Sequence, residues 1–370
     1  MIQVAARQRY DIDGLISEIA QPEVKVVIFF FSVEYERFEP HKAIKRAFPQ
    51  AVCIAASMIG GGAPSGTVAK GMVAMSLGAD AVEEVFASFK EGVKAAPERA
   101  ARQGIEELKR KLGYRNIDPD TYLGIVLFDG LCVGDAIMQE LTLEERLNLP
   151  FVGGSAADEM TMTRTLVGLD DQLSADGLAL LVMKMKIPFY CNHYVHYMPT
   201  NTSMMVTRAE SKKRIIWEFN GEPAAPYYAK LVGAERIDRL DQRVFARNPL
   251  GVVSGDSVFC RSIADVVEGT GLYCFARIEA GTTLHLLKQG DIIADARNTL
   301  QDAESYTPHL QGAILFNCMT RMLEMQELKQ LDAFWSVFKG IPFIGSNTYG
   351  EELFIHHNQT LTAVFFGGAR

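Results

Sequence analysis

The sequence repeats one order of elements three times, and this repetition limits the possible folds more than any other feature. In each copy an apolar run of strand length leads into a helix-like stretch and then a short strand that starts beside a proline. A turn of small residues and further strand-like runs complete the copy. The apolar runs begin at Val24, Leu123 and Ala313, and the small-residue turns occupy 55–62, 153–159 and 345–351. Such self-similarity indicates one supersecondary unit used repeatedly. The unit is a strand, a helix, a second strand and a hairpin.

Glycines follow the proline-started strand in these turns. Proline is tolerated at the start of a strand because its missing N–H need not join the ladder. Glycine after that strand either makes a tight turn or lets the backbone approach another group closely. From the residues alone both interpretations remain open.

The repeats predict an α+β fold of mixed β-sheets with helices on their outer faces. Two segments fall outside the repeat. Helical spacing of apolar residues predicts one or two amphipathic helices over 81–112, and frequent turn signals predict a β-rich segment over about 190–304. A polar linker near 197–203 predicts two domains: 1–198 with two repeats, and 199–370 with the β-rich insert and the third repeat. How the repeats pair in space is left open.

Composition excludes several classes of protein. The net charge is -8 and the basic residues form no long block, which disfavours nucleic acid as a partner because phosphate binding needs a basic surface. The most apolar run, 26–31, is far shorter than the ~20 residues of a membrane-spanning helix. The N-terminus lacks a signal-peptide pattern. We therefore expect a cytoplasmic protein that does not insert into a membrane.

Few motifs point to catalysis. The glycine-rich segment 59–64 is not followed by a helix, so it does not resemble a phosphate-binding loop. Cys318 follows a strand directly and has Arg321 three residues on, and a neighbouring cation favours the reactive thiolate. A nucleophile also needs a general base within reach, so packing, ligand contact and catalysis all stay open for Cys318.

The seven histidines show no zinc spacing. His356 and His357 are adjacent, so in a strand they face opposite ways and cannot share one ion. A single axial histidine is nevertheless enough for haem iron. The covalent haem signature C-x-x-C-H is absent, so any haem would be held non-covalently.

Along nearly its whole length the chain resembles the FIST-domain proteins, which combine a FIST N and a FIST C half. The motifs that match, in chain order, are Gly153-Gly154-Ser155-Ala156-Ala157-Asp158, Val206-Thr207-Arg208-Ala209, Glu218-Phe219-Asn220-Gly221-Glu222-Pro223-Ala224, Asn248-Pro249-Leu250-Gly251-Val252, Cys318-Met319-Thr320-Arg321, Tyr349-Gly350-Glu351 and Asn358-Gln359-Thr360-Leu361-Thr362. Three positions depart from the family pattern: Ala55, Gly61 and Met322.

The resemblance implies a sensor that binds a small ligand and is not an enzyme. Because no output domain accompanies the two halves, it also implies a separate signalling partner. The ligand-binding residues that it suggests are Gly153, Gly154, Ser155, Asp158, Cys318, Arg321, Tyr349, Gly350, Glu351 and Asn358.

The length, the opening at 31–35 and the ending resemble a stand-alone (NosP-like) subset that binds haem b and senses nitric oxide. That subset acts on a histidine kinase or a cyclic-di-GMP enzyme. Its closing H-x-N-Q-T pattern falls here on His356 and Asn358. The resemblance therefore implies His356 as the iron ligand, with His193 or His196 as alternatives.

Three other interpretations stay open. The ligand could be a non-haem molecule, such as an amino acid, in a groove lined by the turns 153–158 and 345–351. An enzyme using Cys318 or Asp158 is a further possibility, and so is a protein-interaction scaffold without a ligand. The sequence leaves a homodimer open.

Overall fold

The computed structural model describes residues 1–143 and 147–368. These residues divide into two compact units. The first contains 1–194, 296–356 and the chain from 361, and the second contains 195–295 and 357–360. Within the described ranges, no helix has both the length and the apolar character needed to cross a membrane.

Three repeats make up the first unit. The first repeat runs through β1 (Ile2–Arg7), α1 (Ile12–Ile19), β2 (Val24–Phe31), α2 (Pro40–Ala47), β3 (Val52–Ser57), β4 (Gly61–Ala63), β5 (Gly66–Val68) and β6 (Met72–Gly78). The second runs through β7 (Val82–Glu91), α3 (Pro97–Lys111), β8 (Tyr122–Phe128), α4 (Gly134–Thr142), β9 (Phe151–Ser155), β10 (Val167–Leu169), β11 (Gln172–Ser174) and β12 (Gly177–Met185).

The third repeat begins with β13 (Phe189–Tyr194), and the chain then passes through the second unit before it returns. The elements of the second unit are β14 (Tyr197–Glu210), β15 (Ile215–Phe219), β16 (Glu222–Pro223), α5 (Ala224–Leu231), α6 (Gln242–Arg247), β17 (Leu250–Ser254), β18 (Ser257–Arg261), β19 (Ile263–Val267), β20 (Gly271–Cys274) and β21 (Thr283–Gln289). The third repeat continues with α7 (Ile292–Tyr306), β22 (Leu310–Cys318), α8 (Met319–Glu327), α9 (Leu331–Val337), β23 (Phe343–Thr348), β24 (Glu351–Leu353), β25 (Ile355–His357) and β26 (Leu361–Gly367).

Each repeat builds the same four strands of a sheet. The pairs β2–β3, β8–β9 and β22–β23 are parallel and are joined through helices. The last strand of each repeat (β6, β12 or β26) pairs antiparallel with the first strand of that parallel pair (β2, β8 or β22). On its other side it pairs with the strand that opens the repeat (β1, β7 or β13). The parallel pairing follows from the helical crossover, since a tight turn can join only antiparallel strands.

The hairpin of each repeat pairs with a strand of a different repeat. The β4–β5 hairpin of the first repeat pairs with β23 of the third, through Gly62 opposite Gly345. The β10–β11 hairpin of the second pairs with β3 of the first, through Gly168 opposite Ala55. Strand β24 of the third pairs with β9 of the second. This cyclic hairpin exchange links all three sheets.

One shared core lies between the three sheets. In β2, Val26, Ile28 and Phe30 face this core, whereas Val27, Phe29 and Phe31 pack beneath α1 and α2. Strand β8 shows the same alternation, which is the period of two expected of a strand. Because both faces are covered, these strands are continuously apolar. This explains the apolar runs that mark the repeats.

The second unit is a strongly β-rich fold. Its sheet has the strand order β18-β17-β21-β14-β15-β20-β19, with β16 paired to β15. Helices α5 and α6 contribute Tyr228 and Phe245 to its core. The hydroxyl of Tyr228 donates to the backbone oxygen of Asn248 at 2.7 Å, so this buried polar group is satisfied.

The α+β prediction, with mixed sheets built from three repeats and two domains, is confirmed. The segment 81–112 was predicted as helix, and its first part is wrong because β7 occupies 82–91. The apolar spacing there mimics a helix because β7 is an edge strand with half-buried residues on both faces. For the second repeat the sequence predicts that the helix-like stretch covers 133–147. Helix α4 occupies 134–142, and residues 144–146 lie outside the described residues.

The division into compact units differs from the predicted domains. The third repeat, placed by sequence with the second domain, lies in the first unit because β23 pairs with β4 and β26 pairs with β13. The predicted linker near 197–203 lies inside β14, where the pairing with β21 shifts register between Pro199 and Ser203. Its polar residues mark a bulge and not a loop between domains.

Candidate functional site

The small-residue turns of the three repeats meet at one place, which we call the strand-end junction (57–60, 155–158 and 346–351). Backbone hydrogen bonds link every pair of turns. Ala157 N donates to Ser57 O at 2.9 Å, Ile59 N donates to Asn347 O at 3.3 Å, and Ser155 N donates to Gly350 O at 2.9 Å. The two turns predicted to line a groove are therefore in direct backbone contact.

The glycines of these turns permit close packing. A Cβ built on Gly153 would lie 1.8 Å from the carbonyl oxygen of Val126, and one on Gly154 would lie 2.6 Å from Thr348 Cγ2. Neither position tolerates a side chain, because real Cβ atoms do not approach other atoms so closely. Their role as ligand contacts remains a prediction, and their packing role is sufficient to explain why glycine is present.

Side chains from the third repeat form a buried polar network at the junction. Arg321 Nε donates to Asn317 Oδ1 at 3.1 Å, and Asn317 Nδ2 donates to Asn347 Oδ1 at 2.9 Å. Asn347 Nδ2 then donates to the carbonyl oxygen of Ile59 at 2.9 Å, which joins the first repeat. Arg321 is fully buried, with its guanidinium carbon 5.9 Å from the ring centre of Phe334. This network fixes the relative positions of two turns.

Glu351 and Cys318 lie at the same network. Glu351 is fully buried, and its Oε1 accepts from Thr348 Oγ1 at 2.9 Å. The sulfur of Cys318 lies 3.1 Å from Thr320 Oγ1, and the residue is 2% exposed. A hydroxyl is not a general base, so this contact does not activate the thiol as a nucleophile.

Asp158 organises the loop that follows it. Its carboxylate accepts hydrogen bonds from the backbone N–H groups of Thr161, Met162, Thr163 and Arg164, from the Thr161 hydroxyl and from the Tyr349 hydroxyl. Burial alone would raise the pKa of this carboxyl, but these donors outweigh burial and hold it well below its usual range. The Tyr349 bond ties the loop of the second repeat to the third. Asp158 is therefore an ionised acceptor saturated by the protein itself.

His356 and Glu352 form a buried ion pair beside the junction. His356 Nδ1 lies 2.9 Å from Glu352 Oε1, and the two residues are 9% and 0% exposed. Burial lowers the pKa of the imidazole, but the Glu352 carboxylate outweighs burial and raises it to about 9. Burial also raises the pKa of Glu352. The His356 imidazole is therefore protonated at neutral pH, as the ion pair requires.

Two glycines enclose the His356 ring. A Cβ on Gly134 would lie 2.7 Å from Nδ1, and a Cβ on Gly350 would lie 2.2 Å from Cε1. Glu352 is a residue that sequence reasoning missed. The available signal was a second glutamate directly after Glu351 and before an apolar run, although the sequence did not show which partner Glu352 would contact.

The donor chemistry at His356 suits haem iron, whereas the space does not. A carboxylate on Nδ1 orients an imidazole and leaves Nε2 as the coordinating atom. However, a Cβ on Gly350 would lie 2.9 Å from Nε2, so the backbone of that residue lies directly beside this nitrogen. The face of a porphyrin does not fit there while residue 350 holds this position. Within the described ranges, no group of three or more His, Cys, Asp or Glu side chains is arranged to hold a metal ion.

The alternative histidines and Asn358 lie elsewhere. His193, in β13, is half-buried, and burial lowers its pKa. His196 and Asn358 belong to the second unit, and both are buried there. The neighbour of Asn358, Gln359, donates through Nε2 to the Tyr197 hydroxyl at 3.0 Å. The predicted site residues thus fall in two places: those of the first unit around the strand-end junction, and Asn358 in the second unit.

Comparison with known proteins gives three findings. A family model described as the FIST N domain matches residues 25–222, and one described as the FIST C domain matches 224–353. An uncharacterized protein of Methanocaldococcus jannaschii is 25% identical over 280 residues, which are 67% of this chain and 54% of that protein. The chain therefore spans about half the length of that relative.

A crystal structure of a chorismatase covers 99% of this chain and 97% of its own, at 8% identity and a TM-score of 0.37. A likeness this weak supports no argument about fold or activity. The family models are decisive instead, because the FIST N match alone spans more than half of the 370 residues. The protein belongs to the FIST family, with a FIST N domain followed by a FIST C domain.

Proposed function

We propose that the protein is a small-ligand sensor that acts on a separate partner protein. FIST domains are sensory, ligand-binding domains of signalling proteins. The observation that most supports a responsive site in this chain is the buried His356–Glu352 pair. Two ionisable groups are costly to bury, and titratable pairs with shifted pKa values cluster at functional sites.

The finer proposal is haem-based nitric oxide sensing through a histidine kinase or a cyclic-di-GMP enzyme. His356 would hold the iron through Nε2, and Glu352 would orient the ring through Nδ1. Haem, when bound, would supply the iron that takes up the gas. Because Gly350 lies beside Nε2, binding requires the segment around residue 350 to move away from the ring.

The decisive measurement is a visible absorption spectrum of protein expressed with haem available, before and after nitric oxide. We expect a Soret band that shifts with the gas. The band should be lost in His356→Ala and retained in His193→Ala and His196→Ala, which remove the two alternative histidines. A band lost only in His193→Ala would identify His193, in β13, as the iron-coordinating residue. A featureless spectrum after haem titration would exclude haem.

A second candidate is a sensor of a non-haem small molecule, such as an amino acid, and the restricted space at His356 favours it. A thermal-shift screen over metabolites tests it, since a ligand of the folded state raises apparent stability by mass action. A stabiliser whose effect disappears in Glu352→Gln would place this ligand at the pair. No stabiliser across a broad set would exclude this candidate.

A further inference from the structure

A cleft of about 340 Å³, here called the β13 cleft, lies between the second and third repeats within the first unit. Three consecutive residues of β13, Phe189, Tyr190 and Cys191, line it. Neighbouring side chains of a strand point to opposite faces of the sheet, so a space that all three residues reach runs along the edge of the strand. Strand β13 stands at the end of its sheet, with β26 as its only strand partner among the described residues. The cleft therefore borders an open strand edge.

Two residues of β13 direct their backbone groups towards this edge. Gly367 N donates to the backbone oxygen of Pro188 at 2.9 Å. Residues of an antiparallel strand alternate between those that bond to the partner strand and those that face away from it. The even-numbered residues of β13 therefore bond to β26, whereas Phe189 and Cys191 face away. Within the described part of the chain, their outward N–H and C=O groups meet no hydrogen-bond partner.

Two other edge positions show how this protein covers such groups. Further along β13, the N–H of His193 donates to Asn192 Oδ1 at 2.8 Å. In β7, the strand that opens the second repeat, Lys111 Nζ donates to the backbone oxygen of Ala87 at 2.6 Å. Proteins normally protect edge strands, because an open edge can pair with another chain. The uncovered stretch of β13 is therefore a place where a further strand can add.

Exposed apolar side chains surround the cleft. Phe354, in the turn between β24 and β25, lines it and is 56% exposed. Its φ of 60° lies in the left-handed region, which is unusual for a bulky residue. Leu143 also lines the cleft and is 44% exposed. Tyr306, which is 69% exposed, stacks on Tyr190 with 4.6 Å between the ring centres. Apolar side chains clustered at a surface mark an interaction site.

Two carboxylates indicate the charge of the occupant. Asp120 lines the cleft and is exposed. Asp302, on α7, lies near Tyr190, since burial raises the pKa of this tyrosine and the Asp302 carboxylate raises it further. Neither carboxylate forms an ion pair with another described residue, and among those residues no lysine or arginine lines the cleft. These surroundings are complementary to a basic partner.

We propose that the β13 cleft binds an extended, basic segment of the partner protein, which adds to the sheet as a strand beside β13. Backbone hydrogen bonds to Phe189 and Cys191 would supply affinity, and an apolar side chain in the cleft would supply specificity. Basic residues of the segment would pair with Asp120 and Asp302. Such docking rests on the proposed function, which requires a partner. Ligand binding and segment binding are measured separately, so that either can fail alone.

Fluorescence anisotropy of a fluorescein-labelled peptide, Arg-Val-Tyr-Val-Arg amide, titrated with the whole chain tests the proposal. Glu-Val-Tyr-Val-Glu amide is the matched acidic peptide. We expect saturable binding of the basic peptide and about tenfold weaker binding of the acidic one, the scale of two exposed ion pairs.

Substitutions in the cleft should weaken binding of the basic peptide. Asp120→Asn and Asp302→Asn should each weaken it about threefold, the scale of one exposed ion pair. Phe354→Ala should weaken it about tenfold, because a large apolar contact is lost. Glu304→Gln, an equal charge change on the other side of α7, is the control and should leave binding unchanged.

Methylated peptides distinguish strand addition from other modes of binding without a change in the protein. N-methyl groups on both valines of the basic peptide remove one alternate set of N–H groups, and an N-methyl group on the tyrosine interrupts the other set. Only one set of an added strand faces β13. One of the two methylated peptides should therefore lose binding, and the other should keep it.

Four outcomes would overturn the proposal. The first is no binding of the basic peptide at millimolar concentration, and the second is equal binding of the acidic peptide. The third is an equal effect of the two methylation patterns, which would show that no strand is added. The fourth is a dimer in size-exclusion chromatography that Phe354→Ala dissociates, which would assign the cleft to a second copy of this chain. Because Asp120, Asp302 and Phe354 are exposed, the three substitutions should fold, and circular dichroism checks this.

Discussion

Single atoms decide what the residues of the strand-end junction do. The glycines at 153, 154 and 350 were interpreted from sequence as turn or ligand positions. In the structure they are places where another residue of the protein already occupies the volume of a Cβ. Sequence shows that a glycine is present, but only the fold shows which neighbour makes a larger residue impossible. Position 350 is the clearest case, because the neighbour is the proposed ligand-binding histidine.

Gly350→Ala should lower the free energy of unfolding by about 2 kcal/mol, the usual cost of overpacking a buried position. The new Cβ would lie 2.2 Å from His356 Cε1, so the ring or the turn must move. Urea denaturation measures the change. Gly340→Ala is the matched control, because a Cβ there meets nothing within 4 Å. Equal effects of the two substitutions would contradict the proposed packing of His356.

At the scale of elements, the loop after β9 is held by one carboxylate. Asp158 gathers four successive backbone N–H groups and the hydroxyl of Tyr349. The sequence identified Asp158 as a site residue through the family motif, and left open an enzyme that uses it. Its role as an acceptor for its own loop was not predictable, because the residues that bond to it follow no recognisable capping pattern.

Asp158→Asn should destabilise the protein by about 2 kcal/mol at neutral pH. The NH₂ group of asparagine would face N–H and O–H groups that now donate to the carboxylate, and some of these would lose their acceptor. The folded-state pKa of Asp158 is lowered, so its stabilisation is present above the ordinary pKa and is lost as the pH falls. The protonated wild type then resembles the asparagine variant.

The difference between the two proteins in urea denaturation should therefore shrink below about pH 4. Asp302→Ala, which removes an exposed carboxylate of α7, is the control and should change stability little. A difference that stays constant with pH would show that the charge of Asp158 is not what holds the loop.

At the scale of the whole molecule, the three repeats share one core. Apolar runs and turns in the sequence were enough to predict three strand–helix–strand–hairpin units and their helices on the outside. They were not enough to predict the exchange of hairpins, because pairing between β4 and β23 joins residues nearly 300 positions apart. The sequence also missed that β7 and β13 open their repeats, since β7 has helix-like spacing and β13 is separated from its repeat by the second unit.

Phe316→Ala should lower the free energy of unfolding by about 3–5 kcal/mol, because Phe316 is fully buried in the shared core and meets Phe30 at 5.6 Å between ring centres. Hydrogen exchange should then increase in β2 and β8 as well as in β22. Phe354→Ala, which removes an equal side chain that is 56% exposed, is the control. Faster exchange confined to the third repeat would contradict a shared core.

The hairpin exchange also determines when the chain can fold during its synthesis. The β10–β11 hairpin, which pairs with β3 of the first repeat, is synthesised with the second repeat. The β4–β5 hairpin of the first repeat has no strand partner in another repeat until β23 is synthesised. Strand β13 is paired later still, because its partner β26 follows β23 in the chain. Long-range pairing of this kind is slow and leaves strand edges exposed in the meantime. On the ribosome, the β4–β5 hairpin and β13 therefore keep an additional unpaired edge until β23 and β26 have been synthesised.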